Sequence, residues 1–429
     1  MKREAMARLP MFGWAALRGP QGPGMPCVLD LPSLHYTTSG RAAILLALEA
    51  LGIGPGDRVL LPTYHCPTMV APADSLGAQP LFYPINEQGT PDLAWIVRQP
   101  LDNVRVMLAA HFFGLPQPMD TVRRWCDDHG IALIEDCAHA LFGRSGARAV
   151  GAWGDIAIAS LTKFLPVNEG GCLVFNTMPG APSLQAPRAT TQVRSAIDIL
   201  DVGATQGALP GLNGLVTGTL TALRKMRPGP PPAPAMPSVH GTFDDRPTGS
   251  TAPLGALDIP EHPDGDFTID TLQAHRALAS PCRWLAARLP RQRIVERRRH
   301  NFQRLLRELG NDHRWRPLFD TLPDDCAPYV FPLWVERPDP GYSQLRRLGM
   351  PVFRWDRLWP GTRAAVADAP HDQGLRWSHH VLQLACHQDL SDDDLTRLVA
   401  AIRQTYAGHP ATPACRRGGP TAAHPTTPL

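Results

Sequence analysis

The apolar positions of this chain fall into short, nearly continuous runs: Arg58-Val-Leu-Leu61, Gln79-Pro-Leu-Phe-Tyr83, Val104-Arg-Val-Met-Leu-Ala-Ala110, Ile131-Ala-Leu-Ile-Glu135 and Asp155-Ile-Ala-Ile-Ala-Ser160. Runs this short and this apolar predict strands buried on both faces. Between them the pattern changes to helical spacing. Thr38-Ser39-Gly40 offers a cap ahead of Arg41–Leu51, and Gly52 ends that stretch. Gly54-Pro-Gly-Asp57 reads as a turn, and Met119–His129 as a helix stopped by Gly130. Strands alternating with helices at this pitch predict an α/β fold with a mostly parallel sheet covered on both faces.

The second half reads differently. Arg227-Pro-Gly-Pro-Pro-Pro-Ala-Pro-Ala-Met-Pro237 excludes helix and central strand, and residues 203–262 are expected to be a proline-rich insertion acting as a mobile loop or linker. Trp284–Leu309 predicts two amphipathic helices broken near Pro290, with Arg297-Arg-Arg299 on a solvated helix face. Tyr329–Val335, Pro351–Arg354 and Val381–Cys386 predict strands, and Tyr342–Leu348 a helix. Ser391-Asp-Asp-Asp394 caps a last helix to Tyr406. The expected organisation is an N-terminal arm (1–30), a large domain (31–262), a smaller C-terminal α+β domain (263–406) and a disordered tail (407–429).

Composition narrows the class. The 429 residues are 43% hydrophobic and 19% charged, as in ordinary globular proteins, and the net charge of +3 gives no reason to expect nucleic acid as a partner. No apolar run approaches the roughly 20 residues of a membrane span, so no membrane association is expected. The opening apolar stretch is broken by Pro10, Gly13 and Arg18, against a signal peptide. Nine cysteines without a CxxC pair point to reduced thiols and a cytoplasmic location.

Candidate chemistry sits at the ends of two neighbouring strands. Asp136 closes the run that begins at Ile131, and Lys163 follows the run that ends at Ser160. Ligands of open α/β sheets lie outside the carboxyl ends of strands. A carboxylate and a lysine delivered there suit a pyridoxal-phosphate (PLP) enzyme, in which the lysine forms the Schiff base and the aspartate holds the pyridinium proton. Each residue also has a plain structural alternative: a surface lysine, a satisfied buried acid. Glu135 points to the opposite face by strand alternation. The start of the Arg41 helix, with Gly40, is a phosphate cradle or a simple cap. Ser160 is a phosphate donor or a small strand-ending residue. Tyr64 could stack on a flat ring or pack in the core. His139 could face a cofactor or be a hydrogen-bonded buried histidine.

Together these segments resemble the DegT/DnrJ/StrS family of PLP-dependent sugar aminotransferases. The resemblance is carried by Ser39-Gly40-Arg41-Ala-Ala, Gly54-Pro-Gly-Asp57 through Leu61-Pro-Thr-Tyr64, His111-Phe-Phe-Gly114, Glu135-Asp136-Cys-Ala-His139-Ala, Gly151-Ala-Trp-Gly-Asp155, Ser160-Leu-Thr-Lys163, Glu169-Gly-Gly171 and Leu382-Gln-Leu-Ala-Cys-His387. It implies PLP fold type I, usually a homodimer with active sites at the subunit interface. It further implies PLP as cofactor, Lys163 as the Schiff-base lysine and Asp136 as the pyridinium partner. Tyr64 would stack on the ring, Gly40, Arg41 and Ser160 would contact phosphate, and His139 would face the cofactor. The expected reaction transfers an amino group from an amino acid, with glutamate as donor, to a keto group on a nucleotide-linked sugar in polysaccharide or secondary-metabolite biosynthesis. Three positions separate Ser160 from Lys163, where many members have five, and the Asn-x-Arg-Met stretch of many members is missing. An inactive PLP-binding scaffold or regulator of the same fold is the alternative, and an α/β nucleotide-binding protein without PLP a third reading.

Overall fold

A computed structural model of the protein describes residues 6–19, 24–226 and 268–407. Seven strands form the main sheet: β1 (Leu34–Thr37), β2 (Arg58–Pro62), β3 (Gln79–Tyr83), β4 (Val104–Ala110), β5 (Ala132–Asp136), β6 (Ile156–Ser160) and β7 (Gly171–Phe175). Their order is β1-β7-β6-β5-β4-β2-β3. Strands β2 to β6 pair in parallel, and β7 and β1 are added antiparallel at one edge. The parallel strands lie where the apolar runs predicted them, within a residue.

Period-two alternation sorts the side chains of the central strands onto two cores. Ile156 and Ile158 of β6, with Leu173 and Phe175 of β7, join one cluster with Ile44, Leu46, Val59 and Met107. Ala157, Ala159, Cys172 and Val174 join the other, with Val28, Leu285 and Ile294. Both faces are therefore dry, which is why these strands carry no alternating polar positions. The N-terminal segment contributes to this packing: Cys27, Val28 and Leu29 are buried, and Met6 sits in the core of the second sheet.

Helix α1 (Gly40–Ala50) starts where the sequence offers its cap, with the Ser39 hydroxyl accepting from Ala42 N–H. Helix α2 (Pro67–Ser75) was not legible from the pattern. Pro67 occupies its first turn, where the missing N–H costs nothing, but Pro72 lies inside it. Helix α3 (Met119–His129) ends on Gly130 in the left-handed region, as read from the sequence. Helices α4 (Ala189–Thr205) and α5 (Asn213–Met226) correct the expectation of a linker from 203 onward. The proline run 227–237 lies outside the described residues, as does the tail from 408.

A second sheet has the order β8-β9-β11-β10, built from β8 (Trp315–Pro317), β9 (Val330–Val335), β10 (Val352–Phe353) and β11 (Val381–Ala385). Helix α6 (Arg291–Leu309) and helix α7 (Asp392–Tyr406) cover one face through Phe302, Leu305, Leu398 and Ile402. Val330 and Trp334, on the other face of β9, belong to the main core. Ser391 and Asp394 form the capping box read from the sequence.

Register places the polar ends together. Asp136 of β5 lies opposite Ile158, Ser160 of β6 opposite Gly171, and Thr37 of β1 opposite Gly171. Gly171 is squeezed against the start of α1: a Cβ there would stand 2.4 Å from Ser39 C and O and 2.7 Å from Gly40 N. Backbone atoms of a capped helix cannot move aside cheaply. Gly171→Ala is therefore expected to destabilise the protein by about 1–3 kcal/mol, read as a lowered denaturant midpoint at unchanged slope. An unchanged midpoint would show that this contact is loose.

Candidate active site

One cleft, enclosing about 550 Å³ with part of it open to solvent, is lined by Gly40, Arg41, Asp136, His139, Ser160 and Lys163. Six of the seven residues singled out in the sequence thus meet at the carboxyl ends of β5 and β6 and the start of α1. The exception is Tyr64. Its ring is fully buried outside the cleft lining, among Phe112, Phe113, Trp355 and Trp377, and its hydroxyl accepts from Gln383 Nε2 at 3.0 Å. In this structure Tyr64 packs in the core behind the cleft-lining Phe112 and Trp355. The aromatic side chains that do line the cleft are His111, Phe112, His139 and Trp355.

Lys163 ends a 3-10 turn, Leu161–Lys163, that follows β6 directly. This tight turn absorbs the short spacing from Ser160. The side chain is half-buried, and Nζ makes no hydrogen bond to any other described residue; it lies 5.4 Å from the Tyr329 ring centre. Burial holds its ammonium pKa below the ordinary lysine value, partly offset by the negative charge of Asp136. A lysine so placed yields its neutral, nucleophilic form more readily than one in water. Only Lys2 and Lys225 accompany it in the whole chain, against 42 basic residues in all.

Asp136 is buried, and Oδ1 accepts from Ala138 N–H at 2.8 Å. Burial raises its pKa, while Ala138 N–H and the charge of Lys163 act in the opposite direction. No ion pair within 4 Å joins Asp136 to Lys163. Neither group is therefore spent on the other. Glu135 serves the scaffold on the far face: Oε1 accepts from His111 Nε2 (2.9 Å) and Gly151 N–H (2.7 Å), and Oε2 from Trp153 and Gly154 N–H. Against burial, these donors hold its carboxyl below the usual range. His111, Glu135 and Cys137 bring ligand-type atoms within 4.8 Å of one another, but these hydrogen bonds already occupy both glutamate oxygens.

Helix α1 supplies an electropositive end. Ser39 spends its hydroxyl on Ala42 N–H, which leaves the N–H groups of Gly40 and Arg41 without an acceptor among the described residues. A Cβ on Gly40 would come within 3.3 Å of Ser160 Cβ, so glycine keeps this corner open beside the serine. The Arg41 guanidinium donates to Thr268 O through Nη1, while its buried Nε has no partner. His139 accepts weakly from Phe113 N–H at Nδ1 (3.4 Å), which assigns the ring proton to Nε2. Its ring lies between Tyr329 and Trp355, at 4.5 and 4.8 Å. Trp355 lines the cleft from the second sheet's segments, Tyr329 packs behind it against His139 and beside Lys163, and Cys66 and Thr68 line the cleft from the start of α2. Nothing in their local sequence pattern marks them; for Trp355, the single hint is its place just after the strand 352–353.

These residues fit a flat, anionic, aldehyde-bearing cofactor: an open helix start for phosphate, a buried carboxylate for a ring nitrogen and a lysine with a free amine. Part of the chain is similar to known proteins. Residues 35–186 match the DegT/DnrJ/EryC1/StrS aminotransferase family. Within this part, the chain is 33% identical over 148 residues to GDP-perosamine synthase of Vibrio cholerae, covering 33% of this chain and 40% of that one. It is 35% identical over 146 residues to UDP-N-acetyl-3-dehydro-alpha-D-glucosamine 3-aminotransferase of Acidithiobacillus ferrooxidans, covering 32% and 38%. The matched region thus spans about two fifths of these curated relatives. The fold is similar over a wider span to Spr1654 of Streptococcus pneumoniae in its PLP form, with a TM-score of 0.55 at 15% identity over 88% of each chain. The architecture is fold type I of the PLP-dependent transferases, with a large, mostly parallel sheet and a smaller C-terminal α+β part.

Burial also fixes the charge of four histidines. It holds His65 and His387 at about 4, His380 at about 3 and His139 well below the ordinary value. Each folded pKa lies under the unfolded one of about 6.5. Their contribution to stability is complete above that value and is lost as pH falls through the window below it, because only the unfolded chain takes up the protons. The carboxyls of buried Asp136 and Asp372 and half-buried Asp356, raised by desolvation, act in the opposite sense. Carbon-13 spectra of labelled histidine are expected to show these four rings neutral from pH 7 to about 5. A midpoint near 6.5 for any of them would mean that water reaches that ring.

Proposed function

We propose that this protein is a PLP-dependent aminotransferase that moves an amino group from an amino acid, with glutamate as donor, to a keto group on a nucleotide-linked sugar. The observation that carries this reading is Lys163: a half-buried amine with no hydrogen-bond partner among the described residues, in the same cleft as the buried carboxylate of Asp136. When bound, PLP supplies an electron sink for the bonds of the substrate's amino-bearing carbon. Lys163 would hold it covalently through Nζ, and the uncapped N–H groups of Gly40 and Arg41, with Ser160 Oγ, would bind its phosphate. Asp136 would accept a hydrogen bond from the protonated ring nitrogen and so hold the proton on that nitrogen. Its carboxylate is well suited to this, since a buried anion gains more from a cationic partner than an exposed one. His139, neutral with its proton on Nε2, would donate to the ring's phenolic oxygen. Once released, Lys163 is the base placed to take a proton from the substrate carbon and return it, and its lowered pKa favours that role.

The names of the two curated relatives support a keto-sugar acceptor, since one makes an amino sugar nucleotide and the other is named for a dehydro-sugar nucleotide. A homodimer, as the resemblance read from the sequence implies, belongs to the same proposal. The test is the visible spectrum of PLP-loaded protein before and after L-glutamate. The yellow band is expected to give way to the shorter-wavelength absorbance of the aminated cofactor, and Lys163→Ala to lose this conversion by about 100-fold or more. A wild-type band that no amino donor changes would turn the reading to a PLP-binding scaffold. No band after added PLP would reject the cofactor.

A further inference from the structure

Arg298 lies in the basic run that the sequence pattern assigned to a solvated helix face, yet it is fully buried. Its guanidinium donates to four neutral acceptors: Nε to Gln388 Oε1 (2.8 Å), Nη1 to the carbonyls of Pro328 (3.0 Å) and Tyr329 (3.1 Å), and Nη2 to the carbonyl of Lys163 (2.7 Å). No carboxylate among the described residues pairs with it. The plane of charge also lies 4.5 Å from the Phe164 ring centre. A buried cation without a counter-ion is costly, so its value must lie in what it holds. Gln388 completes the arrangement. Its Oε1 accepts from Arg298, and its Nε2 donates to the carbonyl of Phe164 (2.9 Å).

The two consecutive carbonyls matter because of where they fall. Lys163 ends the 3-10 turn and Phe164 caps it, and no regular helix or strand continues there to satisfy their carbonyls. Unpaired, they would be buried acceptors and the turn would be free to shift. Both are instead tied to the second part of the molecule, through α6 and the segment after β11. The same guanidinium fixes the backbone of Tyr329, whose ring lies 5.4 Å from Lys163 Nζ and 4.5 Å from the His139 ring. Only a planar fork with several donors can serve carbonyls arriving from three directions, which a lysine ammonium cannot match.

We propose that Arg298, with Gln388, is a positioning residue for Lys163: it locks the turn that presents Nζ to the cleft and couples that turn to the C-terminal part of the protein. The proposal rests on the reading of Lys163 as the reactive amine. Its test begins without cofactor. Reductive methylation by formaldehyde and cyanoborohydride, followed on the Lys163 peptide by mass spectrometry across pH, reports the amine directly, with Lys2 and Lys225 as internal references. Arg298→Lys keeps the charge and loses the fork; Gln388→Met removes the Phe164 contact and carries the test if the first variant does not fold. In folded variants, the pH profile or rate of Lys163 methylation is expected to change by about fivefold or more, while Lys2 and Lys225 keep theirs. In PLP-loaded protein, kcat is expected to fall about 10- to 100-fold, with KM for the amino donor within about threefold. An unchanged Lys163 profile in both variants, or a wild-type Lys163 that resists methylation, would overturn the proposal even if melting temperatures fall. If wild-type protein binds no PLP, the proposed function fails, and the methylation profile still decides the role of Arg298.

Discussion

The register between β5, β6 and β7 is the constraint on which the site depends. Asp136 lies beside Ile158, and Ser160 beside Gly171, so the polar ends of dry strands emerge at one level next to the start of α1. A slip of one residue would turn Asp136 to the scaffold face and bring Glu135 to the cleft. The four hydrogen bonds that Glu135 accepts resist that slip, because they bind it to His111 and to the 151–154 turn on the opposite face. The two adjacent carboxylates are thereby divided between architecture and chemistry.

Burial then tunes what register has placed. Lys163 and Asp136 share a low-dielectric cleft without bonding to each other, so desolvation pushes the lysine toward its amine and the aspartate toward its acid. Each retains an unspent interaction. A cationic ring nitrogen beside Asp136 and an aldehyde beside Lys163 would relieve both costs together, so a site of this kind is strained when alone and satisfied when loaded. The C-terminal part contributes by enclosure, through Tyr329, Trp355 and the guanidinium of Arg298, more than by ionisable groups in the cleft.

Much of this was legible in the chain. The buried strands and capped helices follow from apolar runs, Ser39, Gly130 and the Ser391 box, since each is a local rule that tertiary packing reinforced. Lys163, Asp136, His139, Ser160, Gly40 and Arg41 could be placed because strand ends converge in an α/β sheet. Other features depended on contacts that no local pattern encodes. Tyr64 was drawn into the core by four aromatic neighbours. Arg298 was hidden inside a basic run, because a buried arginine and a solvated one look alike until its acceptors are known. Helix α2 escaped because Pro72 sits within it, and α4 and α5 because the proline run downstream coloured the reading of the residues before it. Trp355 came from a distant segment.

The central claim is that Lys163 is the residue that binds the cofactor's aldehyde. Borohydride reduction of PLP-loaded protein, followed by proteolysis and mass spectrometry, tests it at the level of a single bond. The account predicts a stable pyridoxyl group on the peptide containing Lys163 and none on Lys2 or Lys225. A label confined to either of those two, or protein that binds PLP yet carries no label on Lys163, would contradict it.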